Sequence, residues 1–483
     1  MKISIISPNL SGDVSIVDMG ITYLATYLNQ RTHHRALIID FTYHRKDWKR
    51  HLEDSLRKYQ PDLIGITCVS MYMRYVSEFI REVKERYGLP IILGGYHVTL
   101  MPEESFAMEG VDAICIGDGE FSLSEYLDCL EAGKSPQGIR GIWAKYGGHL
   151  VKNPQRELIQ DIDSLPLPDY DLWEEIEKFI YYNGVMYFVG NRGCPFNCTY
   201  CSEFPMKNST SGKYLRRRDP RAYAREVKYQ WEKYNHRVKI KVAHFFDAVF
   251  PFDKEWLAEF CGEYKAIGLN KRLPFSCFTR ADTIDEERIE LMSGAGLKIA
   301  RIGIEAGNER IRREIYEKNI PTDQYRKVAR LLHKYGVVIT GYNILGGPDE
   351  TYSTMRDTFN LVKELKIERP IFFTYRPLPR TEGARKVLAY GGSIDTRMWK
   401  KIDSLHEYSN VYTRQLSPQQ IVWFRRKCLF YFMSIRALKL VREQKLRFII
   451  NFSVYLIKGL RDGVGPQYIV GYFLVSGGGN CVH

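Results

Sequence analysis

Continuous apolar stretches alternate with stretches of helical spacing along the first part of the chain. Residues 20–28 carry apolar side chains at helical spacing, between the first two of five apolar runs. Those runs are short enough to be buried strands and occupy residues 2–8, 36–40, 61–68, 90–95 and 111–117. Continuous apolar strands separated by helices are typical of a parallel sheet that is covered on both faces. The pattern predicts an α/β fold with a doubly wound, Rossmann-like parallel sheet over residues 1–145.

Small and polar residues stand at the ends of the last three of these strands. They are Ser70 after the third, Gly94, Gly95 and His97 at the fourth, and Gly117, Gly119 and Glu120 at the fifth. Parallel α/β sheets bind ligands beyond the carboxyl ends of their strands, and glycine lets a ligand approach the backbone closely. We therefore predict a ligand site at this edge of the sheet.

A proline-rich segment separates this region from a second one with the same alternation. Residues 165–170 read Leu-Pro-Leu-Pro-Asp-Tyr, which is typical of a linker, and we assign residues 146–180 to it. Strands and helices alternate again from 181 to 385, so a second α/β domain is predicted there. The remaining residues, 386–483, are predicted to form a basic helical domain.

The C-terminal region contains a clear helix start. Ser417 stands at the N-cap position, Pro418 in the first turn, and Gln420 three residues after the serine. Basic residues then interleave with aromatic and aliphatic residues between 423 and 447. We therefore expect a helix that begins at Pro418 and presents a basic face.

Positive charge is concentrated in this last region. The chain has a net charge of +13, and residues 386–483 hold 15 Lys and Arg against 5 Asp and Glu, a net charge of +10. A basic helix face packed on the preceding domain, an interfacial helix on anionic lipid, and an anion-binding surface for a carboxylate- or phosphate-bearing substrate would each account for it. No nucleic-acid partner is expected, because no RNA-binding module is apparent.

Length and composition are those of a globular, multidomain protein. With 483 residues, 45% apolar and 26% charged, the chain has room for about three domains. Met1 runs directly into a strand, so we expect no signal or transit peptide. No uncharged apolar run reaches the roughly 18 residues that a membrane-spanning helix needs. We expect a cytoplasmic protein, peripheral to the membrane if the basic helices bind lipid, with its cysteines reduced.

Three cysteines stand close together at C-x3-C-x2-C spacing. They are Cys194, Cys198 and Cys201, and the other cysteines are scattered singly. A structural zinc site takes four ligands, usually from two cysteine pairs, and no second pair exists here. Three thiolates can instead hold three irons of a [4Fe–4S] cluster and leave the fourth iron open. The motif predicts a cluster that binds a small molecule at its open iron.

With Tyr200 as the aromatic residue, this motif resembles the C-x3-C-x-aromatic-C signature of the radical S-adenosylmethionine (SAM) superfamily. The resemblance implies a partial (β/α)6 barrel over residues 181–385 and an electron donor such as flavodoxin or ferredoxin. It also implies that the open iron chelates SAM, whose one-electron cleavage gives a 5′-deoxyadenosyl radical that abstracts hydrogen from the substrate.

Further stretches of the second domain resemble the SAM-binding elements of that superfamily. Arg280 ends residues 275–280 and can reach a carboxylate. Glu305 lies in a Gly-x-Glu-x-Gly stretch that typically meets the SAM ribose, and Ile344 lies in an element that runs beside the adenine. The resemblance implies that these residues and Tyr200 position SAM. Arg380 stands where many members have glycine, so the substrate side is expected to differ.

The first domain resembles the cobalamin-binding domain that precedes the barrel in one large class of radical SAM enzymes. Residues 94–104, Gly-Gly-Tyr-His-Val-Thr-Leu-Met-Pro-Glu-Glu, match its central motif closely, and Asp118 replaces a usual glutamate. The resemblance implies that cobalamin binds at the residues named above at the strand ends. The D-x-H-x-x-G motif that places histidine on cobalt is absent. We therefore predict that His97 forms hydrogen bonds rather than a bond to cobalt.

Together these features predict a cobalamin-dependent radical SAM methyltransferase that acts on an unactivated carbon of a small molecule, anionic or lipid-like. A substrate radical would take the methyl group from cobalt, and a second SAM would remethylate cobalamin. One alternative is a radical cyclase, oxidoreductase or rearrangement enzyme with the same domains and no methyl transfer. Another, from a different class, is a cluster-bearing sensor or electron carrier.

Overall fold

The structure, a computed structural model, describes residues 1–11, 13, 17–250, 253–395 and 408–461. These residues form two units. The first contains residues 1–176 and 205–216, and the second contains residues 177–204 and 217–461. The predicted C-terminal domain, 386–483, is therefore described only in part, and its glycine-rich end lies outside the described residues.

The first unit is a seven-stranded sheet with helices. Its elements are β1 (Lys2–Ser7), α1 (Met19–Arg31), β2 (Arg35–Asp40), α2 (Trp48–Tyr59), β3 (Leu63–Thr67), α3 (Met73–Tyr87), β4 (Ile91–Gly94), α4 (Tyr96–Leu100), α5 (Pro102–Phe106), β5 (Ala113–Cys115), α6 (Glu120–Glu131), β6 (Ile142–Tyr146) and β7 (His149–Lys152). The strand order is β2-β1-β3-β4-β5-β6-β7, with β1 to β5 parallel. The predicted doubly wound parallel sheet is confirmed, and an antiparallel hairpin, β6–β7, extends it.

The helix pattern of α3 illustrates how this sheet is covered. Val76, Phe79, Ile80 and Val83 are buried and lie on one helical face. Phe79 packs against Phe41, with ring centroids 4.6 Å apart. Full burial of one such aliphatic or aromatic side chain stabilises the fold by about 1.5–3 kcal/mol.

The second unit is built on a six-stranded parallel sheet. From Ile176 onward the elements are α7 (Ile176–Asn183), β8 (Val185–Phe188), β9 (Asn191–Arg192), α8 (Glu203–Asn208), β10 (Arg216–Arg217), α9 (Pro220–Asn235), β11 (Val242–Phe245), α10 (Lys254–Ala266), β12 (Phe275–Thr279), α11 (Glu286–Gly294), β13 (Leu297–Glu305), α12 (Thr322–Lys334), β14 (Val338–Leu345), α13 (Tyr352–Glu364), β15 (Arg369–Thr374), α14 (Glu382–Ala389), β16 (Ser393–Ile394), β17 (Val411–Tyr412) and α15 (Pro418–Arg461). Most of α8 and the first residue of β10 belong to the first unit. The sheet order is β15-β14-β13-β12-β11-β8, so neighbouring strands follow the chain, as predicted for a partial (β/α)6 barrel.

Side chains alternate between the two faces of these strands. On β13, Ala300, Ile302 and Ile304 are buried, whereas Arg301 is partly exposed on the other face and donates to the hydroxyl of Tyr342 at 2.9 Å. Arg280 directly follows β12 and Glu305 is the last residue of β13. The predicted site residues of this unit therefore stand where parallel strands end.

The predicted helix start at the beginning of α15 is confirmed. The Ser417 hydroxyl accepts a hydrogen bond from the backbone N–H of Gln420 at 3.3 Å, and the Gln420 side chain accepts one from the Ser417 N–H at 2.9 Å. These two reciprocal bonds form a capping box.

The basic face of α15 is only partly exposed. Arg425 is buried and donates from Nε to the carbonyl of Phe372 at 2.7 Å. Among the described side chains, Trp423, Phe430 and Leu438 are exposed. None of the described helices is long and apolar enough to span a bilayer. Contact of α15 with a membrane surface or an anion stays a prediction, since most side chains after Leu438 lie outside those described.

Candidate functional site

The three predicted cysteine ligands lie on one loop between β9 and α8. Cys194 and Cys198 are buried and Cys201 is half-buried. Gly193 has a φ of +89°, so the turn into this loop needs a residue without a Cβ. Burial raises the pKa of Cys194 to about 11 and that of Cys201 further. The thiolate form that binds metal therefore needs a cation beside these sulfurs.

The three cysteines can be compared with the ligand set of a single zinc ion. Four ligands of one zinc ion, with Zn–S bonds of about 2.3 Å, lie about 3.8 Å apart. Among the described residues, the three cysteines are not a group whose ligand atoms all lie within 4.8 Å of one another. The three cysteines are therefore not arranged as a compact ligand set for one ion, and the assignment of a cluster depends on their C-x3-C-x2-C spacing.

Hydrogen bonds fix the entry and the middle of this loop. Asp247, two residues after the end of β11, accepts hydrogen bonds through Oδ1 from the N–H groups of Gly190 and Asn191 at 2.8 and 2.5 Å. Burial raises the pKa of Asp247 to about 7. Thr199, inside the loop, donates from its N–H and its hydroxyl to two backbone carbonyls of the second unit, those of Tyr316 and Ile315. These hydrogen bonds hold the backbone that carries the cysteines in place.

Arg280 contacts the cysteine loop. Its Nη1 atom lies 3.2 Å from Sγ of Cys198, and its guanidinium lies 3.6 Å from the ring centroid of Phe196. Nε and Nη2 donate to Asp282 at 2.9 and 2.8 Å. Burial alone would lower the pKa of Arg280, but the carboxylate of Asp282 and the neighbouring Cys198 raise it. The cation is therefore retained beside the sulfur.

Glu305 joins the end of β13 to the cysteine loop. Its Oε1 atom accepts from the hydroxyl of Tyr200 at 2.8 Å and from Nζ of Lys318 at 2.9 Å. The backbone of Glu305 has a φ of +63°, and the register between β13 and β14 shifts at this point. A non-glycine residue in this conformation is held there by its surroundings at a cost of about 1–3 kcal/mol. The bulge turns the carboxylate towards Tyr200.

An apolar cluster lies beside this carboxylate. Its buried members include Ala306, Tyr316 and Tyr375, and both Tyr200 and Ile344 pack against it. The structure therefore brings Tyr200, Glu305 and Ile344 together, as it does Arg280 and Cys198. Lys318 and Asp282 lie outside the motifs, and Phe196 fills a variable position of the cysteine motif, so the sequence analysis gave none of the three a role.

In the first unit, the predicted residues at the ends of β3, β4 and β5 also come together. Gly95 has a φ of +99°, and a Cβ there would lie 2.9 Å from the carbonyl oxygen of Cys68. Nδ1 of His97 lies 2.9 Å from the hydroxyl of Ser70. The N–H of Gly117 donates to the hydroxyl of Thr99 at 3.0 Å. Gly94 ends β4 and directly precedes Gly95.

His97 belongs to the first turn of α4 rather than to a loop. Its Nε2 atom is buried and has no hydrogen-bond partner among the described residues, and the nearest carboxylate oxygen, on Glu104, lies 3.9 Å away. Burial lowers the pKa of His97, so the imidazole is neutral. A polar group of a ligand would satisfy this nitrogen.

Gly119 and Glu120 stand at the start of α6, as N-cap and first residue, and Glu120 is buried. Asp118, which replaces the usual glutamate, accepts an ion-paired hydrogen bond from Arg216 and a second bond from the N–H of Ile159 at 3.0 Å. This loop is therefore held by contacts inside the first unit.

Comparison with known proteins finds a matching family for the region of the cysteine loop and another for the sheet of the first unit. The profile of the radical SAM superfamily matches residues 188–362, and that of the B12 binding domain matches residues 11–127. An uncharacterized methyltransferase of Pyrococcus horikoshii is 28% identical over 444 residues, which cover 89% of this chain and 92% of that protein.

Two further similarities bear on the reaction and on the fold. The anaerobic magnesium-protoporphyrin IX monomethyl ester cyclase of Cereibacter sphaeroides is 25% identical, over 71% of this chain and 55% of that protein. The radical SAM methyltransferase TsrM of Kitasatospora setae, solved with cobalamin and a [4Fe-4S] cluster bound, superposes with a TM-score of 0.69. It is 18% identical, with 82% of this chain and 80% of TsrM covered, a likeness of fold.

Proposed function

This chain belongs to the radical SAM enzymes that carry an N-terminal B12-binding domain, and we propose that it is a cobalamin-dependent methyltransferase. Its substrate would be a small molecule methylated at an unactivated carbon. The observation that carries the proposal is the pairing, in one chain, of the three-cysteine loop beside Arg280 and Glu305 with a B12-binding sheet whose strand ends carry Ser70, Gly95 and His97. Similarity to a methyltransferase over 89% of the chain supports it.

The cysteine loop would hold a [4Fe–4S] cluster through Cys194, Cys198 and Cys201. With SAM bound, this cluster supplies the electron that cleaves SAM and so starts the radical reaction. Arg280 donates a hydrogen bond to Cys198, which stabilises negative charge on that sulfur. Asp247 holds the backbone of Gly190 and Asn191, so the entry to the loop is fixed before any ligand arrives.

The carboxylate of Glu305 would orient SAM beside the cluster. Tyr200 and Lys318 both donate to Oε1, so the carboxylate has a fixed position. A carboxylate accepts hydrogen bonds from vicinal hydroxyls, as on a ribose. Ile344, which packs with Tyr200 on the same apolar cluster, would provide an apolar surface for the adenine.

The first unit would bind cobalamin at the carboxyl ends of β3, β4 and β5. Gly94, Gly95, Gly117 and Gly119 are partly exposed there and present no side chain to a ligand. The buried Nε2 of His97 would hydrogen-bond a polar group of the cofactor, and Nδ1 is occupied by Ser70. Glu120, buried at the start of α6, would complete this edge of the site.

A radical cyclase is the second candidate, because relatives of this chain, the Cereibacter sphaeroides protein among them, are named as cyclases. The chain covers 55% of that relative, against 92% of the methyltransferase. Methyl transfer is therefore the better-supported reaction. Under either proposal the partners are a small-molecule substrate and a low-potential electron donor such as flavodoxin or ferredoxin.

The deciding experiment is an anaerobic reaction of cluster-loaded protein with SAM, hydroxocobalamin, a strong reductant, and cell extract or candidate substrates. A methyltransferase retains cobalamin at about one per chain and forms both S-adenosylhomocysteine and 5′-deoxyadenosine. Formation of 5′-deoxyadenosine alone, with cobalamin neither retained nor needed, would overturn the methyltransferase proposal and favour the cyclase. Cys198→Ala should abolish both products.

A further inference from the structure

Four potential metal ligands cluster in the first unit, outside both proposed cofactor sites. His33 and His34 lie between α1 and β2, and Asp128 and Glu131 lie three residues apart in the last turn of α6. Helices α1 and α6 both end here. The C-terminal ends of helices carry partial negative charge and favour a cation.

The ligand atoms are already close to one another. Nε2 of His33 lies 2.6 Å from Oε2 of Glu131 and 3.8 Å from Oδ1 of Asp128. Nε2 of His34 lies 3.1 Å from the same Asp128 oxygen. One ligand atom from each of the four residues falls within 4.8 Å of all the others.

These separations bracket those of a tetrahedral metal site. Zinc bonds to histidine nitrogen and carboxylate oxygen are about 2.0–2.2 Å long, which places neighbouring ligand atoms about 3.3–3.5 Å apart. The imidazole rings of His33 and His34 lie with their centroids 4.1 Å apart, and an Nε2 atom of each contacts Asp128. Side-chain shifts of a few tenths of an ångström to about 1 Å would make room for a metal ion between the four ligand atoms.

One of the four side chains is buried and so held in place, whereas the other three are exposed and can move. The side chain of His34 is fully buried, whereas those of His33, Asp128 and Glu131 are 61%, 55% and 46% exposed. Nδ1 of His34 lies 3.0 Å from the amino group of Met1, which donates to it while it is an ammonium group. A metal ion on Nε2 requires the tautomer with the proton on Nδ1, so metal binding would release an ammonium proton and leave Nδ1–H donating to the neutral amine. An incoming ion would replace the hydrogen bonds between the histidines and the carboxylates, and release protons.

We propose that His33, His34, Asp128 and Glu131 bind a divalent transition-metal ion, with Zn²⁺ the best match. Two imidazoles and two carboxylates neutralise the ion and provide the nitrogen and oxygen ligands that it accepts. The bound ion would link the C-terminal ends of α1 and α6, and so stabilise the first unit. The proposal does not depend on the proposed methyltransferase reaction.

The test is equilibrium dialysis of the full, cluster-loaded chain against Zn²⁺ under anaerobic conditions, with zinc X-ray absorption of the bound ion. We expect one saturable Zn²⁺ with only nitrogen and oxygen scatterers. His33→Ala and Glu131→Gln should each raise the dissociation constant at least about tenfold. His149→Ala, which removes an exposed histidine on β7, should leave it unchanged.

Two results would overturn the proposal. One is Zn²⁺ binding that is equal in wild type, His33→Ala and Glu131→Gln, which would leave the four residues as an ion-pair cluster. The other is sulfur scattering, which would place the ion at cysteines. A thermal shift of the wild type by Zn²⁺ that is absent in Glu131→Gln gives an independent readout, because this substitution keeps the side-chain shape and leaves an exposed position folded.

Discussion

The hydroxyl of Tyr200 donates a 2.8 Å hydrogen bond to Oε1 of Glu305, a residue 105 positions further along the chain. The bond connects the aromatic residue of the cysteine motif to the bulge that ends β13. Lys318 donates to the same oxygen, and both Lys318 and Glu305 are buried. The position of one carboxylate is thereby coupled to the cysteine loop.

Glu305→Gln should weaken both stability and SAM binding. The substitution leaves the buried Lys318 without its counter-ion, and removal of one partner of a buried pair costs about 3–5 kcal/mol. Loss of hydrogen bonds to a charged acceptor should lower SAM affinity about tenfold or more. Denaturant unfolding and equilibrium binding of SAM measure the two effects.

Glu364→Gln is the matched control for this change. Glu364 pairs with Arg326 at the surface of the same unit, where an ion pair contributes little. Its unfolding and SAM binding should resemble those of the wild type. Equal stability of Glu305→Gln and Glu364→Gln would contradict the importance of the buried pair.

Cys198→Ala should remove the cluster and all SAM cleavage. With two of the three cysteines left, one iron loses its protein ligand, so bound iron per chain should fall sharply. Iron analysis and the yield of 5′-deoxyadenosine measure this. Cys261→Ala is the control, since Cys261 is buried on α10 and lies outside the motif. Retained SAM cleavage in Cys198→Ala would refute the assignment of the cluster ligands.

The local patterns of the sequence were enough for much of the fold. Apolar runs predicted the five parallel strands of the first unit, and Ser417 with Gln420 predicted the start of α15, because in each case the signal lies within a few residues. The hairpin β6–β7 was missed. Its residues 145–152 are largely exposed and polar and resemble a loop, since an edge hairpin lacks the apolar run of a central strand.

The sequence predicted the site residues that belong to a motif. It missed the residues that reach the site only through contacts between distant parts of the chain. Lys318 follows Glu305 by 13 residues, and only the folded chain places its Nζ beside the carboxylate. Arg380 illustrates the converse. The resemblance stated from the sequence implies glycine at this position, and the structure gives Arg380 a left-handed backbone with a φ of +58°, a conformation that glycine adopts most readily.

Arg280→Lys should lower the reduction potential of the cluster. Lysine keeps the charge but cannot form the two-bond contact to Asp282 or stack on Phe196, so the donor to Cys198 loses its fixed position. Hydrogen bonds to cluster sulfurs stabilise the reduced, more negative state. A redox titration followed by electron paramagnetic resonance measures the potential. Arg221→Lys, at an exposed position, is the control, and equal potentials in both variants would contradict the prediction.

Asp247→Asn should remove part of the pH dependence of stability. Burial raises the pKa of Asp247 to about 7, so the folded state holds this proton more tightly than the unfolded state, where the ordinary value is 3.8. The contribution to stability is present below pH 4 and is lost as pH rises towards and through 7. It amounts to at most about 4 kcal/mol.

Unfolding of wild type and Asp247→Asn between pH 4.5 and 8 isolates this contribution as a difference. The wild type should lose stability relative to the variant as pH rises, because asparagine keeps the acceptor for Gly190 and Asn191 and cannot ionise. Asp323→Asn, at a position 88% exposed, should show no such difference. Parallel pH profiles for wild type and Asp247→Asn would contradict the prediction.

His97→Ala should weaken cobalamin retention without changing the axial ligand of cobalt. Nδ1 of His97 is engaged with Ser70, Nε2 is the nitrogen proposed to hydrogen-bond the cofactor, and the chain lacks the D-x-H-x-x-G motif that places histidine on cobalt. The variant removes a buried hydrogen-bonding group and should lower cobalamin affinity about tenfold.

In electron paramagnetic resonance of the Co(II) form, an axial nitrogen splits the cobalt lines. We expect no such splitting in wild type or variant, and His149→Ala should behave as wild type in both measurements. A nitrogen splitting present in the wild type and lost in His97→Ala would make His97 a cobalt ligand and contradict its hydrogen-bonding role.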